Sequence, residues 1–242
     1  QGDKTINGLR LYGTMAYVST GVGLLVVDVE NIEIKETYHL SFNAGYTAVK
    51  DAVVWDDSIM VITSSGLFAA NQKNNLLDKA YWTPKPFLTG VNPLKALRYD
   101  NRFLVYGSDG FLYRGEPGFW ENYQSDAGFK SMDLQDETLL ICYSSHLRMI
   151  HSGGQQTDIP AENLRSACID AKTKKIYYVN ESNGLNIMAP VSGSYVVEQS
   201  SLLPDGPSLS TAWNGFFRDG TYYSTTGGRW GDRYFFDVDI LV

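Results

Sequence analysis

The chain has 242 residues, 43% of them hydrophobic and 19% charged, with a formal net charge of −7. That is enough apolar content for a sizeable core and too little charge for a disordered chain. The densest basic run is only Lys172-Thr173-Lys174-Lys175, so nucleic acid is a poor partner. No run of 18 apolar residues exists, so no membrane-spanning helix is expected, and Gln1-Gly2-Asp3-Lys4 does not read as a signal peptide.

No window shows capped helical periodicity. Short β-branched and aromatic runs separated by Gly, Asn, Asp and Ser predict strands throughout. The first unit reads Leu9-Arg10-Leu11, a turn at Tyr12-Gly13-Thr14, Met15-Ala16-Tyr17-Val18, then Gly23-Leu24-Leu25-Val26-Val27. The second reads Ala52-Val53-Val54-Trp55, Asp56-Asp57, Ile59-Met60-Val61-Ile62, Gly66-Leu67-Phe68. The third reads Ala96-Leu97-Arg98-Tyr99, Asp100-Asn101, Phe103-Leu104-Val105-Tyr106, Gly110-Phe111-Leu112-Tyr113. The fourth keeps the pattern without the glycine: Met132-Asp133-Leu134, Gln135-Asp136-Glu137, Leu139 to Tyr143, His146-Leu147. The fifth runs Cys168-Ile169, Ala171 to Lys174, Ile176 to Val179, Gly184-Leu185. The sixth runs Gly215-Phe216-Phe217, Arg218-Asp219-Gly220, Tyr222-Tyr223, Gly227-Gly228.

The apolar residue after each glycine, or its equivalent, recurs at Leu24, Leu67, Phe111, Leu147 and Leu185, at spacings of 43, 44, 36 and 38. All-β repeats near 40 residues are the signature of a β-propeller. A small twisted sheet has two apolar faces, and stacking successive sheets buries both. The expectation is an all-β propeller of about six four-stranded (or three-stranded) repeats, or a partial or shortened seven-bladed one. As one domain over 1–242, it has repeats at roughly 6–40, 46–88, 94–123, 128–159, 164–199 and 208–242. Asp237 to Val242 reads as the third strand of the last unit. Lys4-Thr5-Ile6 is a candidate for that unit's outer strand.

No catalytic, metal or cofactor constellation emerges. His39, His146 and His151 are scattered, with no carboxylate grouping that suits a metal. Gly21-Val22-Gly23 lacks the third glycine and helix of a dinucleotide loop and reads as a tight turn. Asp56-Asp57 reads as a hairpin turn. Asp237 and Asp239 share one face of a strand, and a cation site there would need further ligands. Cys142 and Cys168 lie in apolar runs and read as small buried hydrophobes, with a disulfide as the alternative. The densest polar-aromatic cluster is Gly227-Gly228-Arg229-Trp230-Gly231-Asp232-Arg233-Tyr234. Its glycines turn the chain sharply and set two guanidinium forks beside flat aromatics, a combination suited to anionic groups and sugar rings. Arg229, Trp230, Asp232, Arg233 and Tyr234 are therefore the candidate ligand-binding residues. The alternative is an Arg-Asp pair with a Trp packed between sheets.

Two stretches carry a family resemblance. One runs from Ile6-Asn7-Gly8-Leu9 through Ala16 to Leu24, with Val27-Asp28-Val29 and Ile34 to Leu40. The other is Gly227 to Tyr234. Ser65 to Phe68, Asn75-Leu76-Leu77 and Tyr81-Trp82 fit between them. Together they resemble the N-terminal propeller of the PorZ-like components of the type IX (Por) secretion system of Bacteroidetes-type bacteria. The resemblance implies an exported, non-enzymatic module of the periplasm or outer-membrane surface. It would help a sortase attach anionic lipopolysaccharide to cargo, by binding that glycolipid or a protein of the sortase complex. The family also implies further repeats, a second propeller and a C-terminal sandwich. A related group, the propellers of hybrid two-component regulators, shares the Gly-Leu-aromatic pattern and implies extracellular glycan sensing instead.

Overall fold

The computed structural model describes residues 3, 5–40, 45–124, 128–135, 137–180 and 184–202, together with the backbone strands 212–218, 221–230 and 233–241. The chain divides into two compact units, 1–125 and 126–242. Among the described residues the only helical element is a 3-10 turn at Lys79–Tyr81, capped by the Asp78 carboxylate.

The first unit holds three antiparallel meanders. They are β1 (Ile6–Tyr12), β2 (Met15–Thr20), β3 (Gly23–Asp28) and β4 (Glu33–Tyr38); β5 (Val49–Trp55), β6 (Ser58–Thr63), β7 (Gly66–Asn71) and β8 (Thr83–Lys85); and β9 (Pro93–Tyr99), β10 (Arg102–Gly107), β11 (Leu112–Glu116) and β12 (Phe119–Gln124). The second unit repeats the plan with β13 (Phe129–Gln135), β14 (Thr138–Tyr143), β15 (His146–Ile150) and β16 (Gln156–Pro160), then β17 (Leu164–Ile169), β18 (Ile176–Asn180), β19 (Gly184–Val191) and β20 (Ser194–Leu202). Its last sheet has three strands, β21 (Ala212–Arg218), β22 (Thr221–Trp230) and β23 (Arg233–Leu241). Five sheets, not six, are therefore four-stranded, and the sixth takes the three-stranded form.

The two-faced logic is visible in the second sheet. Ile59 and Val61 of β6 join Tyr17, Leu24 and Val26 of the first sheet in one core cluster. The alternating Met60 and Ile62 join Ala96, Phe103 and Val105 of the third sheet in another. A period of two along a strand sends neighbours to opposite faces, so both faces are covered only when a sheet lies on each side. In the second unit, Leu140, Cys142, Leu147 and Met149 pack with Ala167, Ile169 and Tyr178. Cys168 faces the other way, with Val179 and Leu185. Both cysteines are free and buried. Cys142 packs beside Ala167 while Cys168 points to the opposite face of its sheet, so the two thiols do not pair.

Two sequence expectations need correction. Thr5 and Ile6 do not complete the last sheet. Ile6 pairs with Thr20, and the Thr5 carbonyl accepts from the Gly21 N–H, so this stretch extends β1 along β2. In the third unit the buried residue at the repeat position is Leu112, 2% exposed, and not Phe111, 37% exposed. The turn Ser108-Asp109-Gly110 is longer there, and Gly107 N–H bonds to the Phe111 carbonyl before the ladder begins at Tyr106–Leu112. The fourth sheet begins its third strand with His146, whose ring stacks on Tyr143 at 4.6 Å.

Candidate functional site

Each first strand carries a β-bulge near its start. The residues skipped in the ladder register are Asn7, Lys50 and Leu94 in the first unit, and 130, 165 and 213 in the second. A bulge bends a strand and re-aims the residues beside it. In the first unit the residues just past the bulges are Gly8, Asp51 and Lys95, and they meet.

Asp51 is 1% exposed. Its carboxylate accepts from Arg10 Nε at 3.3 Å and Nη2 at 3.1 Å, and from the Ala96 N–H at 3.1 Å. Arg10 Nη2 also donates to the Ala96 carbonyl at 3.1 Å. The Lys95 ammonium donates to the Asn7 carbonyl at 2.9 Å, and Asn7 Nδ2 donates to the Val49 carbonyl at 2.8 Å. Gly8 leaves room for this convergence. A Cβ there would sit 3.4 Å from Asp51 Oδ1 and 3.5 Å from Lys95 Nζ, so one methyl fits and a longer side chain does not.

Burial alone would raise the Asp51 carboxyl. The Arg10 guanidinium, the Lys95 ammonium and the Ala96 N–H outweigh it and hold the group below its ordinary range. Burial pulls the Lys95 ammonium down, Asp51 opposes that shift, and Arg10 adds to it. The Lys95 ammonium also donates to the Lys50 carbonyl at 3.5 Å, and across these contacts residue numbers rise together, 7 with 49 and 10 with 51, then 50 with 95 and 51 with 96. The three first strands therefore run in the same direction. The cluster is a polar staple, its carboxylate satisfied by neighbouring strands. An aromatic staple backs it: Arg98 lies over Trp55 and Phe103, and those two rings meet edge-on at 4.8 Å.

Four of the five candidate ligand-binding residues, Arg229, Trp230, Arg233 and Tyr234, fall in the last sheet. The backbone pairs Arg229 with Tyr234 and Trp230 with Arg233 across β22 and β23, so these four occupy adjoining cross-strand positions. Asp232 and the side chains of the other four lie outside the described residues. Asp237 and Asp239 sit opposite Thr226 and Ser224, on alternate positions of one strand, and their side chains too are outside the described residues. His39 Nδ1 lies 3.1 Å from the Val22 carbonyl, and His151 Nδ1 lies 3.4 Å from Thr138 Oγ1. Among the described residues no three His, Cys, Asp or Glu side chains come together as a metal site. Sequence reasoning missed the Arg10–Asp51–Lys95 cluster. The available signal was the residue after each bulge, Gly8, Asp51 and Lys95, spaced by 43 and 44 like the repeat itself, with a charge at two of the three positions.

Residues 1–83 match the family profile of the N-terminal β-propeller domain of PorZ (TSS9). No curated protein matches the chain by sequence. Among solved structures, PorZ, a bacterial surface component of the type IX secretion system of Porphyromonas gingivalis, aligns at 24% identity and a TM-score of 0.68, over 94% of this chain and 30% of that one. The extracellular domain of a hybrid two-component system from B. thetaiotaomicron aligns at 15% identity and a TM-score of 0.64, over 97% of this chain and 32% of that one. A β-propeller domain from Myceliophteria thermophila aligns at 7% identity and a TM-score of 0.62, over 93% of this chain and 79% of that one. At such identities the likeness is one of fold, and the chain spans less than a third of the first two proteins. The fold is thus an all-β propeller, and over residues 1–83 the chain is similar to the PorZ N-terminal β-propeller family.

Proposed function

We propose that this chain is a non-enzymatic binding or scaffold module of the bacterial cell envelope, serving a type IX secretion apparatus. The observation that carries the reading is the PorZ profile match over residues 1–83, which includes the Asn7-Gly8 bulge and the Arg10 and Asp51 halves of the polar staple. The fold likeness to PorZ over 94% of the chain supports it. In this reading the module acts outside the cytoplasm, in the periplasm or at the outer-membrane surface. It helps a sortase join anionic lipopolysaccharide to cargo, by holding that glycolipid or a protein of the complex. Arg229 and Arg233 would meet the anionic groups, with Trp230 and Tyr234 against sugar rings and Asp232 orienting an arginine.

The test is binding of purified anionic lipopolysaccharide by the chain, followed by calorimetry over a salt series. Binding that weakens with salt and is lost in Arg229→Ala and Arg233→Ala supports the reading. Salt-independent binding of a neutral glycan that depends on Trp230 favours the second reading, an extracellular glycan-sensing propeller, which the 97% coverage by the two-component sensor domain motivates. Turnover of a polysaccharide would overturn both.

A further inference from the structure

The polar cluster of the first unit holds more positive charge than it cancels. Each Asp51 carboxylate oxygen already accepts twice. Oδ1 takes Arg10 Nε at 3.3 Å and the Ala52 N–H at 3.0 Å, and Oδ2 takes Arg10 Nη2 and the Ala96 N–H, both at 3.1 Å. A carboxylate offers about four acceptor sites, so none is left for Lys95. Arg10 balances Asp51, and the Lys95 ammonium keeps only two backbone carbonyls, Asn7 at 2.9 Å and Lys50 at 3.5 Å. An ammonium carries three donors, so one has no acceptor among the described residues. Burial, reinforced by Arg10, outweighs Asp51 and pulls the Lys95 ammonium down, the direction of a cation without an anion of its own.

Lys50 adds a second surplus charge. It is skipped in the ladder between Val49 and Asp51 and is half-buried. Among the described residues its side chain has no ion pair or hydrogen bond. Its carbonyl holds Lys95, and its flexible four-carbon stem brings a second ammonium within reach of a group seated there. Gly8, Asp51 and Ala96 form a buried floor, while Asn7, Lys50, Leu94 and Lys95 are half-buried. The cluster therefore opens to solvent along its bulges, a strand feature that gathers next to active sites.

The size of the surplus selects the ligand. Two positive charges with free donors match a phosphate monoester, which carries about −1.5 to −2 charges near neutral pH and three strong acceptor oxygens. A carboxylate would cancel only one of them. Lysine is a regular phosphate ligand, acting as a point charge. We propose that Lys50 and Lys95 form a phosphate site at the bulges of the first unit's first strands. The proposal does not rest on the type IX reading and uses none of Arg229 to Tyr234.

The test is calorimetric titration of the chain with inorganic phosphate at neutral pH and low salt. Glucose 6-phosphate in a second arm separates the sources: a site for a phosphate carried on a larger molecule takes both, and a site for the free ion takes inorganic phosphate alone. Phosphate should bind more tightly than acetate at equal ionic strength. Lys50→Met and Lys95→Met should each weaken phosphate binding about tenfold or more, as loss of one charged hydrogen bond does. Lys79→Met, at an exposed lysine of the same unit outside the cluster, should bind as wild type does. Lys95→Met also reads out the surplus itself. Without phosphate it should keep or raise the urea midpoint, because it removes an uncompensated ammonium, and phosphate should no longer raise that midpoint. Absence of phosphate binding, acetate bound as tightly, or lysine variants that bind unchanged would overturn the proposal. So would a lower Lys95→Met midpoint in phosphate-free buffer, which would make Lys95 a strut of the staple.

Discussion

Replacing Asp51 by asparagine removes the one charge on which three first strands converge. The carboxylate is 1% exposed and accepts from Arg10 twice and from Ala96. Breaking a buried pair by removing one partner costs about 3–5 kcal/mol, because the other charge stays behind uncompensated. The Arg10 side chain is 15% exposed and recovers some hydration, so the lower end, about 3 kcal/mol, is expected. For a chain of this size that lowers the melting midpoint by roughly 6–12 °C. The assay is thermal and urea unfolding followed by circular dichroism. Arg10→Met combined with Asp51→Asn should cost less than the two singles added, by at least about 1 kcal/mol. The dependence on pH has a definite sign. A carboxyl held below its ordinary value stabilises above the unfolded value of about 3.9 and loses that contribution as pH falls through the native one. The penalty of Asp51→Asn should therefore shrink on acidification. A loss under about 1 kcal/mol at neutral pH, set against the cost normal for a broken buried pair, or strict additivity with Arg10→Met, would refute the staple.

Two glycines make a paired test. A Cβ at Gly23, where φ is +141°, would lie 2.2 Å from the Tyr38 carbonyl oxygen, so Gly23→Ala should cost more than about 2 kcal/mol in urea unfolding, whereas Gly8→Ala should be near neutral. Burial pushes the Cys142 thiol up to about 12 and the Cys168 thiol well above its usual value, so at neutral pH neither should react with an aromatic disulfide reagent until urea exposes both. Ile32→Asn relieves a left-handed conformation that costs an L-residue about 1–2 kcal/mol, so it should raise stability by about 1 kcal/mol, read from the urea midpoint.

Much of the fold was legible because its signals are local. A turn at Asp56-Asp57 or Asp100-Asn101, a run such as Ile59-Met60-Val61-Ile62 and a glycine before Leu24 or Leu67 lie within a few residues of one another, and their recurrence near 40 residues marks the sheets. Where a turn lengthens, as at Ser108-Asp109-Gly110, the local reading slipped by one and chose Phe111 over Leu112. Chain order also misled at the N-terminus, since Ile6 is as able to pair with Thr20 as with any other strand until the sheets are built. The anionic-ligand candidate Arg229 to Tyr234 came from one contiguous stretch, and the backbone pairs Arg229 with Tyr234 and Trp230 with Arg233 on adjoining strands.

What the sequence determined alone was the unit: strands that alternate two apolar faces, joined by short turns, repeated six times. What only tertiary structure decided was which side chains from different units share a place. Arg10, Asp51 and Lys95 are 41 and 44 residues apart, and each alone reads as an ordinary strand residue. They become a staple because bulges turn three first strands to the same register and burial makes every unpaired charge there costly.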